Sequence, residues 1–276
     1  MGDKKIVRVT RKQRYTKYTK VLIVAVLVLT EAFVWSFPGT GFSHSLSIGT
    51  INATDTSSGI LENSISGNEQ PEKQEADMGK DLTDADFEYL ILVNKQHAVA
   101  ETYKPDDLTD ILYFAADRDA AGRYMREEAA NAFHRLVEAA AAEAGYELKV
   151  TTAYRSYWFQ SVLYTQYVER EGQAAADTYS AEPGKSEHQT GLAADVSSPT
   201  VDFKLTQEFG TSPEGMWLAE NAHQYGFIIR FPKGKEDITG YMYEPWHIRY
   251  VGTTAAKEIF DADLTLEEYL EEIDYD

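Results

Sequence analysis

Ser186-Glu187-His188-Gln189-Thr190-Gly191-Leu192-Ala193-Ala194-Asp195 is the stretch from which the rest of the chain is read. It sets an aspartate seven residues after a histidine, with small residues between them. Far downstream comes Glu244-Pro245-Trp246-His247. Two histidines and an aspartate match the ligand set of a catalytic zinc ion, in which three protein side chains leave a fourth position for water. The chain of 276 residues has no cysteine. Thiolate nucleophiles and disulfides are therefore excluded, and any metal must be held by His, Asp or Glu. A site that activates water also needs a carboxylate to accept and return a proton. Glu244, three residues before His247, is the natural choice. Pro245 disfavours a helix through Glu244, so this pair is expected on a turn or a strand end. On spacing alone, a core histidine with a surface aspartate stands as the alternative.

Around this stretch the patterns of helix and strand alternate irregularly. Residues 122–144 carry a helical apolar rhythm through Met125, Ala129, Ala132, Phe133, Leu136 and Ala140, with Gly145 as its stop. Residues 147–153, ELKVTTA, alternate and are β-branched, which predicts a strand. Residues 157–169 predict a second helix. Residues 213–225 predict a third, with Ser212 as N-cap and Pro213 in its first turn. Residues 227–231 and 248–251 read as strands, and residues 253–260 and 266–273 as helices. Earlier, the apolar run within FEYLILVNKQH also reads as a strand. The mixture predicts an α+β fold rather than a doubly wound sheet.

Further from the motif, composition defines the surroundings. Hydrophobic residues make up 43% and charged residues 26%, which is ordinary for a globular chain. The formal net charge is −19, so phosphates would be repelled and no nucleic-acid partner is expected. Eight of the basic residues, Lys4, Lys5, Arg8, Arg11, Lys12, Arg14, Lys17 and Lys20, crowd residues 1–20. Residues 21–37, VLIVAVLVLTEAFVWSF, would span roughly 25 Å as a helix, the short end of what crosses a bilayer. The flanking charge predicts the N-terminus inside. Glu31 costs least near the outer end of the span, where it lies. A cleaved signal peptide is the alternative, but no A-x-A site follows. Residues 38–80 are rich in Gly, Ser, Thr, Asn and charge and predict a flexible linker. The organisation expected is a cytoplasmic basic segment (1–20), a single transmembrane anchor (21–37), a linker (38–80) and one extracytoplasmic domain (81–276).

The spacing S-x-H-x-x-G-x-A-x-D is met by Ser186, His188, Gly191, Ala193 and Asp195, and E-x-x-H by Glu244 and His247. The flanks AYRSYWFQ, PGKSEHQTGLAADV, WLAENAHQYGFIIRFPKGKEDITGYMYEPWHIRYVG and LTLEEYL extend the pattern over about Phe87 to Leu270. In these features the chain resembles the VanY-type D-alanyl-D-alanine carboxypeptidases and their relatives that cut L,D bonds. The resemblance implies His188, Asp195 and His247 as ligands of one zinc ion and Glu244 as general base. It implies Arg155 facing the scissile carbonyl or the substrate carboxylate, where a permanent, forked charge suits oxygen anions. It implies Gln160 and Ser186 as holders of the substrate's terminal part, against the plainer readings of an exposed helix residue and a turn or cap. The implied fold is a small antiparallel sheet flanked by helices, hedgehog- or D,D-peptidase-like, with zinc at one edge of the sheet. The implied activity is release of the C-terminal D-alanine from peptidoglycan stem peptides. L,D-carboxypeptidase action on tetrapeptides, or wall endopeptidase action, is the near alternative, and a non-catalytic wall-binding module the distant one. One departure is visible: Ala98 and Ala100 stand where the family often carries prolines, which is expected to loosen that loop. His44, His97, His134 and His223 are read as having no part in the site.

Overall fold

The computed structural model describes residues 78–115 and 122–273. They fall within one compact unit, Asp77–Asp276. The expected basic segment, anchor and linker, apart from residues 78–80, lie outside the described residues. No helix among the described residues is long and apolar enough to cross a membrane.

The centre is a four-stranded antiparallel sheet in the order β3 (Lys149–Thr152), β4 (Ala193–Ser197), β6 (Glu244–Tyr250), β5 (Phe227–Phe231). A two-stranded antiparallel ribbon, β1 (Leu108–Asp110) with β2 (Tyr124–Arg126), stands beside it. Helix α1 (Glu127–Ala144) lays its apolar face on the sheet, burying Ala129, Phe133, Leu136 and Ala140 against Val150, Val196 and Ile248. Each large apolar side chain so buried contributes about 1.5–3 kcal/mol. Gly145 ends the helix with φ at 70°, a left-handed conformation natural to glycine. Helix α2 (Tyr157–Glu171) follows β3, and α3 (Pro213–Asn221) starts where the Ser212 hydroxyl accepts from Gly215 N at 3.1 Å. A second core lies under α4 (Thr253–Ala262) and α5 (Leu266–Glu272), where Leu90, Ile228, Val251, Ile259 and Leu266 pack together.

The α+β architecture agrees with the sequence, and four local expectations change. The run after Phe87 is not a strand. A helical turn, Asp84–Phe87, is followed by chain whose Tyr89 and Ile91 carbonyls accept from the Arg249 guanidinium instead of a neighbouring strand. The first long helix begins at Glu127, because residues 124–126 are taken up by the ribbon. The third helix continues past Asn221 only as a 3-10 turn, Ala222–Tyr225. Two of the expected zinc ligands, Asp195 and His247, lie on β4 and β6, the two inner strands, and not on an edge strand, and the third, His188, lies on the turn that leads into β4. The loop carrying Ala98 and Ala100 is tied down. Asn94 Oδ1 accepts from Gln96 N and His97 N, and Val99 N donates to Gly184 O.

Candidate metal centre and substrate site

Asp195 stands in the middle of β4, opposite His247 of β6. His188 comes from the 3-10 turn Glu187–Thr190 that leads into β4. Gly191 makes that entry possible. Its φ is 70°, and a Cβ there would lie 2.9 Å from Leu108 Cδ2 and 3.3 Å from Arg126 Cγ. The turn is locked by Thr190, whose hydroxyl donates to Glu187 O at 2.6 Å and accepts from Leu192 N at 3.1 Å.

One donor atom from each of His188, Asp195 and His247 lies within 4.8 Å of the other two, and all three residues are buried. His188 Nε2 is 3.5 Å from Asp195 Oδ2, and His247 Nδ1 is 3.0 Å from Asp195 Oδ1. The outer nitrogens are held by protein. His188 Nδ1 donates to Ala153 O at 2.7 Å, and His247 Nε2 meets Glu187 Oε2 at 3.3 Å. Such partners fix tautomer and ring orientation in metal sites. Phe231 stacks on the His247 ring at 4.9 Å. The donor set therefore fits a three-ligand zinc site with an open position.

The charges follow from burial and neighbours. Asp195 is held well below the usual carboxylate range: burial opposes ionisation, but His188 and His247 outweigh it. Burial, helped by Arg155, lowers the basicity of His188. Burial likewise opposes protonation of His247, but hydrogen bonds to Asp195 and Glu187 push its pKa up to about 9. Glu244, the first residue of β6, is buried, and burial pushes its carboxyl up to about 8.

The remaining expected residues surround this centre. Arg155 N donates to His188 O at 3.0 Å, so the residue is fixed beside the metal turn. Its guanidinium donates to Gln160 Oε1 at 2.7 Å. Gln160 is not an exposed helix residue. It is buried in the first turns of α2, and its amide donates to Ala181 O at 2.6 Å. Ser186 is buried ahead of the turn, and its hydroxyl does not cap it.

Comparison with known proteins decides the lineage of this centre. A family model described as VanY, D-alanyl-D-alanine carboxypeptidase, matches residues 122–253. A putative carboxypeptidase, YodJ, of Bacillus subtilis (strain 168) is 50% identical over 185 residues, covering 67% of this chain and 67% of that protein. The chain belongs to the VanY D-alanyl-D-alanine carboxypeptidase family. Among solved structures, the LdcB LD-carboxypeptidase is 49% identical with a TM-score of 0.64, over 67% of this chain and 87% of that one. A mutant of the vancomycin-resistance D,D-pentapeptidase VanY from a VanB-type cassette, in complex with Zn(II), is 33% identical with a TM-score of 0.56, over 66% of this chain and 99% of that one.

Five of the seven expected site residues fall in the two motifs and Arg155 and Gln160 in the flank AYRSYWFQ, but sequence reasoning missed what lies behind them. Glu187 sits between the motif serine and histidine, and its Oε1 accepts from Arg230 Nε and Arg249 Nη1, each at 2.7 Å. The signal was present as single arginines in the otherwise apolar strands FIIRF and HIRY, because a charge in such a run requires a buried partner. The other histidines with described surroundings are engaged elsewhere. His97 contacts Asn94 Oδ1 at 2.9 Å, His134 Nε2 accepts from Leu112 N at 3.1 Å, and His223 stacks on Phe260 at 3.8 Å. Burial lowers the basicity of His223.

Proposed function

We propose that this domain is a zinc-dependent D,D-carboxypeptidase that removes the C-terminal D-alanine from peptidoglycan stem peptides. The observation that carries the reading is the convergence of His188 Nε2, the Asp195 carboxylate and His247 Nδ1 within one buried pocket, in a chain of the VanY family. In this reading those three side chains hold one zinc ion. When bound, zinc supplies Lewis acidity towards a carbonyl oxygen and makes water more acidic.

The protein's own groups do the rest. Glu244 accepts a proton from the attacking water and delivers it to the departing amine as the terminal C–N bond breaks. Arg155 faces the oxyanion that develops on the scissile carbonyl or the terminal carboxylate. Gln160 aims that guanidinium through its 2.7 Å hydrogen bond, and so acts on the substrate by way of Arg155. The Ser186 hydroxyl, with no cap to serve, is a contact for the substrate's terminal part.

The second reading is L,D-carboxypeptidase action on tetrapeptides, favoured by the higher identity to LdcB, 49% against 33% for VanY. Free D-alanine released from synthetic stem pentapeptide and tetrapeptide, with and without a zinc chelator, separates the two. Chelator-sensitive release from the pentapeptide supports the first reading, and release from the tetrapeptide alone moves the activity to the second. Release from neither, with zinc bound, rejects both.

We also propose that residues 21–37 anchor the chain in the membrane. Residues 1–20 then lie inside and residues 38–80 give the domain reach to the wall. Supporting this are the apolar run and its basic flank. Protease added to intact spheroplasts should remove the domain but leave a membrane-held N-terminal fragment. Protection of the domain would reject the proposed orientation.

A further inference from the structure

We infer that Glu187 is the positioning residue for His247: its carboxylate takes the outer ring N–H and so keeps Nδ1 turned towards Asp195 and the metal. The inference rests on the zinc reading above and extends it to a residue that never touches the ion.

Three observations carry it. Glu187 Oε2 lies 3.3 Å from His247 Nε2, on the side of the ring opposite the 3.0 Å contact to Asp195. The other histidine is treated in the same way, with its outer Nδ1 bound to Ala153 O. Glu187 is anchored through its other oxygen: Oε1 accepts from Arg230 Nε and Arg249 Nη1, each at 2.7 Å, and both arginines are wholly buried. Arg230 continues the chain of contacts. Its Nη1 and Nη2 donate to the two oxygens of Glu267 at 2.8 and 2.6 Å. Two carboxylates and two guanidiniums thus balance behind the His247 ring. A carboxylate serving only the arginines would not need its second oxygen at the histidine ring.

Substitution separates positioning from simple support. In Glu187→Gln the amide oxygen can still accept from the arginines, which turns the NH2 towards Nε2. That nitrogen must then be an acceptor, and the ring proton moves to Nδ1, where it blocks ligation. Zinc affinity of the full chain, read by competition with a chromophoric chelator, should fall about 10–100-fold. Glu267→Gln removes charge from the same arginine cluster without facing His247. It should lower the Tm of the metal-free protein and leave zinc affinity within about twofold of wild type. An unchanged affinity in Glu187→Gln, or an equal loss in Glu267→Gln, overturns the inference. Should Glu187→Gln fail to fold, 1H–15N correlation of the zinc-loaded wild-type ring decides. A protonated, hydrogen-bonded Nε2 with zinc on Nδ1 supports the assignment, and zinc on Nε2 refutes it. A wild-type chain that binds no zinc rejects the zinc reading itself, and the inference with it. A wild-type chain that binds zinc, with affinity unchanged in Glu187→Gln, overturns the inference and leaves the zinc reading standing.

Discussion

Asp195 and His247 face each other across two antiparallel strands in register, with Oδ1 3.0 Å from Nδ1. Their spacing is therefore set by the backbone ladder before any ion arrives. The metal-free protein should keep its fold. Chelation is expected to abolish D-alanine release while the far-ultraviolet circular dichroism remains native. Added zinc should raise Tm with the logarithm of its ratio to Kd, because it binds the folded state.

The role proposed for Glu244 in turnover does not require it to hold zinc. Glu244→Ala should bind zinc with affinity close to wild type and lose about 10²–10⁴-fold in kcat, the usual share of a general acid–base group. Equilibrium dialysis and D-alanine release report the two quantities separately. Loss of zinc together with turnover would contradict the assignment.

The raised pKa values give the metal-free protein a defined pH response. Glu244 moves from 4.5 to about 8 on folding and His247 from 6.5 to about 9. In both cases the folded state binds more protons, so their contribution is complete below the unfolded pKa and is lost as pH rises through the folded one. Denaturant midpoints of the metal-free protein should therefore fall between about pH 5 and 9. Glu244→Gln should flatten the part of that decline below about pH 8.

Arg155 and Gln160 should behave as a unit. Arg155→Ala is expected to cost about 10²–10³-fold in kcat/KM. Gln160→Leu should lose part of that, because the guanidinium is no longer aimed by its 2.7 Å bond. The double variant should be no worse than Arg155→Ala alone, since coupled residues are not additive. Additive losses would mean that Gln160 meets the substrate on its own account.

Gly191→Ala tests why the motif contains a glycine. The left-handed φ and the 2.9 Å approach of Leu108 Cδ2 both oppose a methyl group. A loss of roughly 1–3 kcal/mol in urea denaturation is expected, with zinc affinity falling as His188 shifts.

The sequence displayed the periodic parts of this molecule and the residues proposed for the site. Helix α1 is legible because Phe133, Leu136 and Ala140 recur on one face, and its end because Gly145 alone tolerates the turn. Strand β4 was hidden: AADVS is buried on both faces, so it shows no alternation. The run Tyr89–Val93 misled in the opposite sense. Its apolar side chains are core, but its carbonyls are spent on Arg249, a partner some 158 residues away for Ile91 and invisible to any local pattern. For the same reason candidate site residues could be named from the two motifs and their flanks, while the buried pairing of Glu187 with Arg230 and Arg249 could not.

The tie between Arg230 and Glu267 spans 37 residues of sequence. During synthesis the guanidinium therefore exists before the carboxylate that balances it. A nascent chain halted before Thr265 would have to bury an under-compensated cation beneath His247, and water would enter to solvate it. The arginine pair behind the site is thus fully balanced only when α5 has left the ribosome, which ties the stability of the domain to the completion of its last helix.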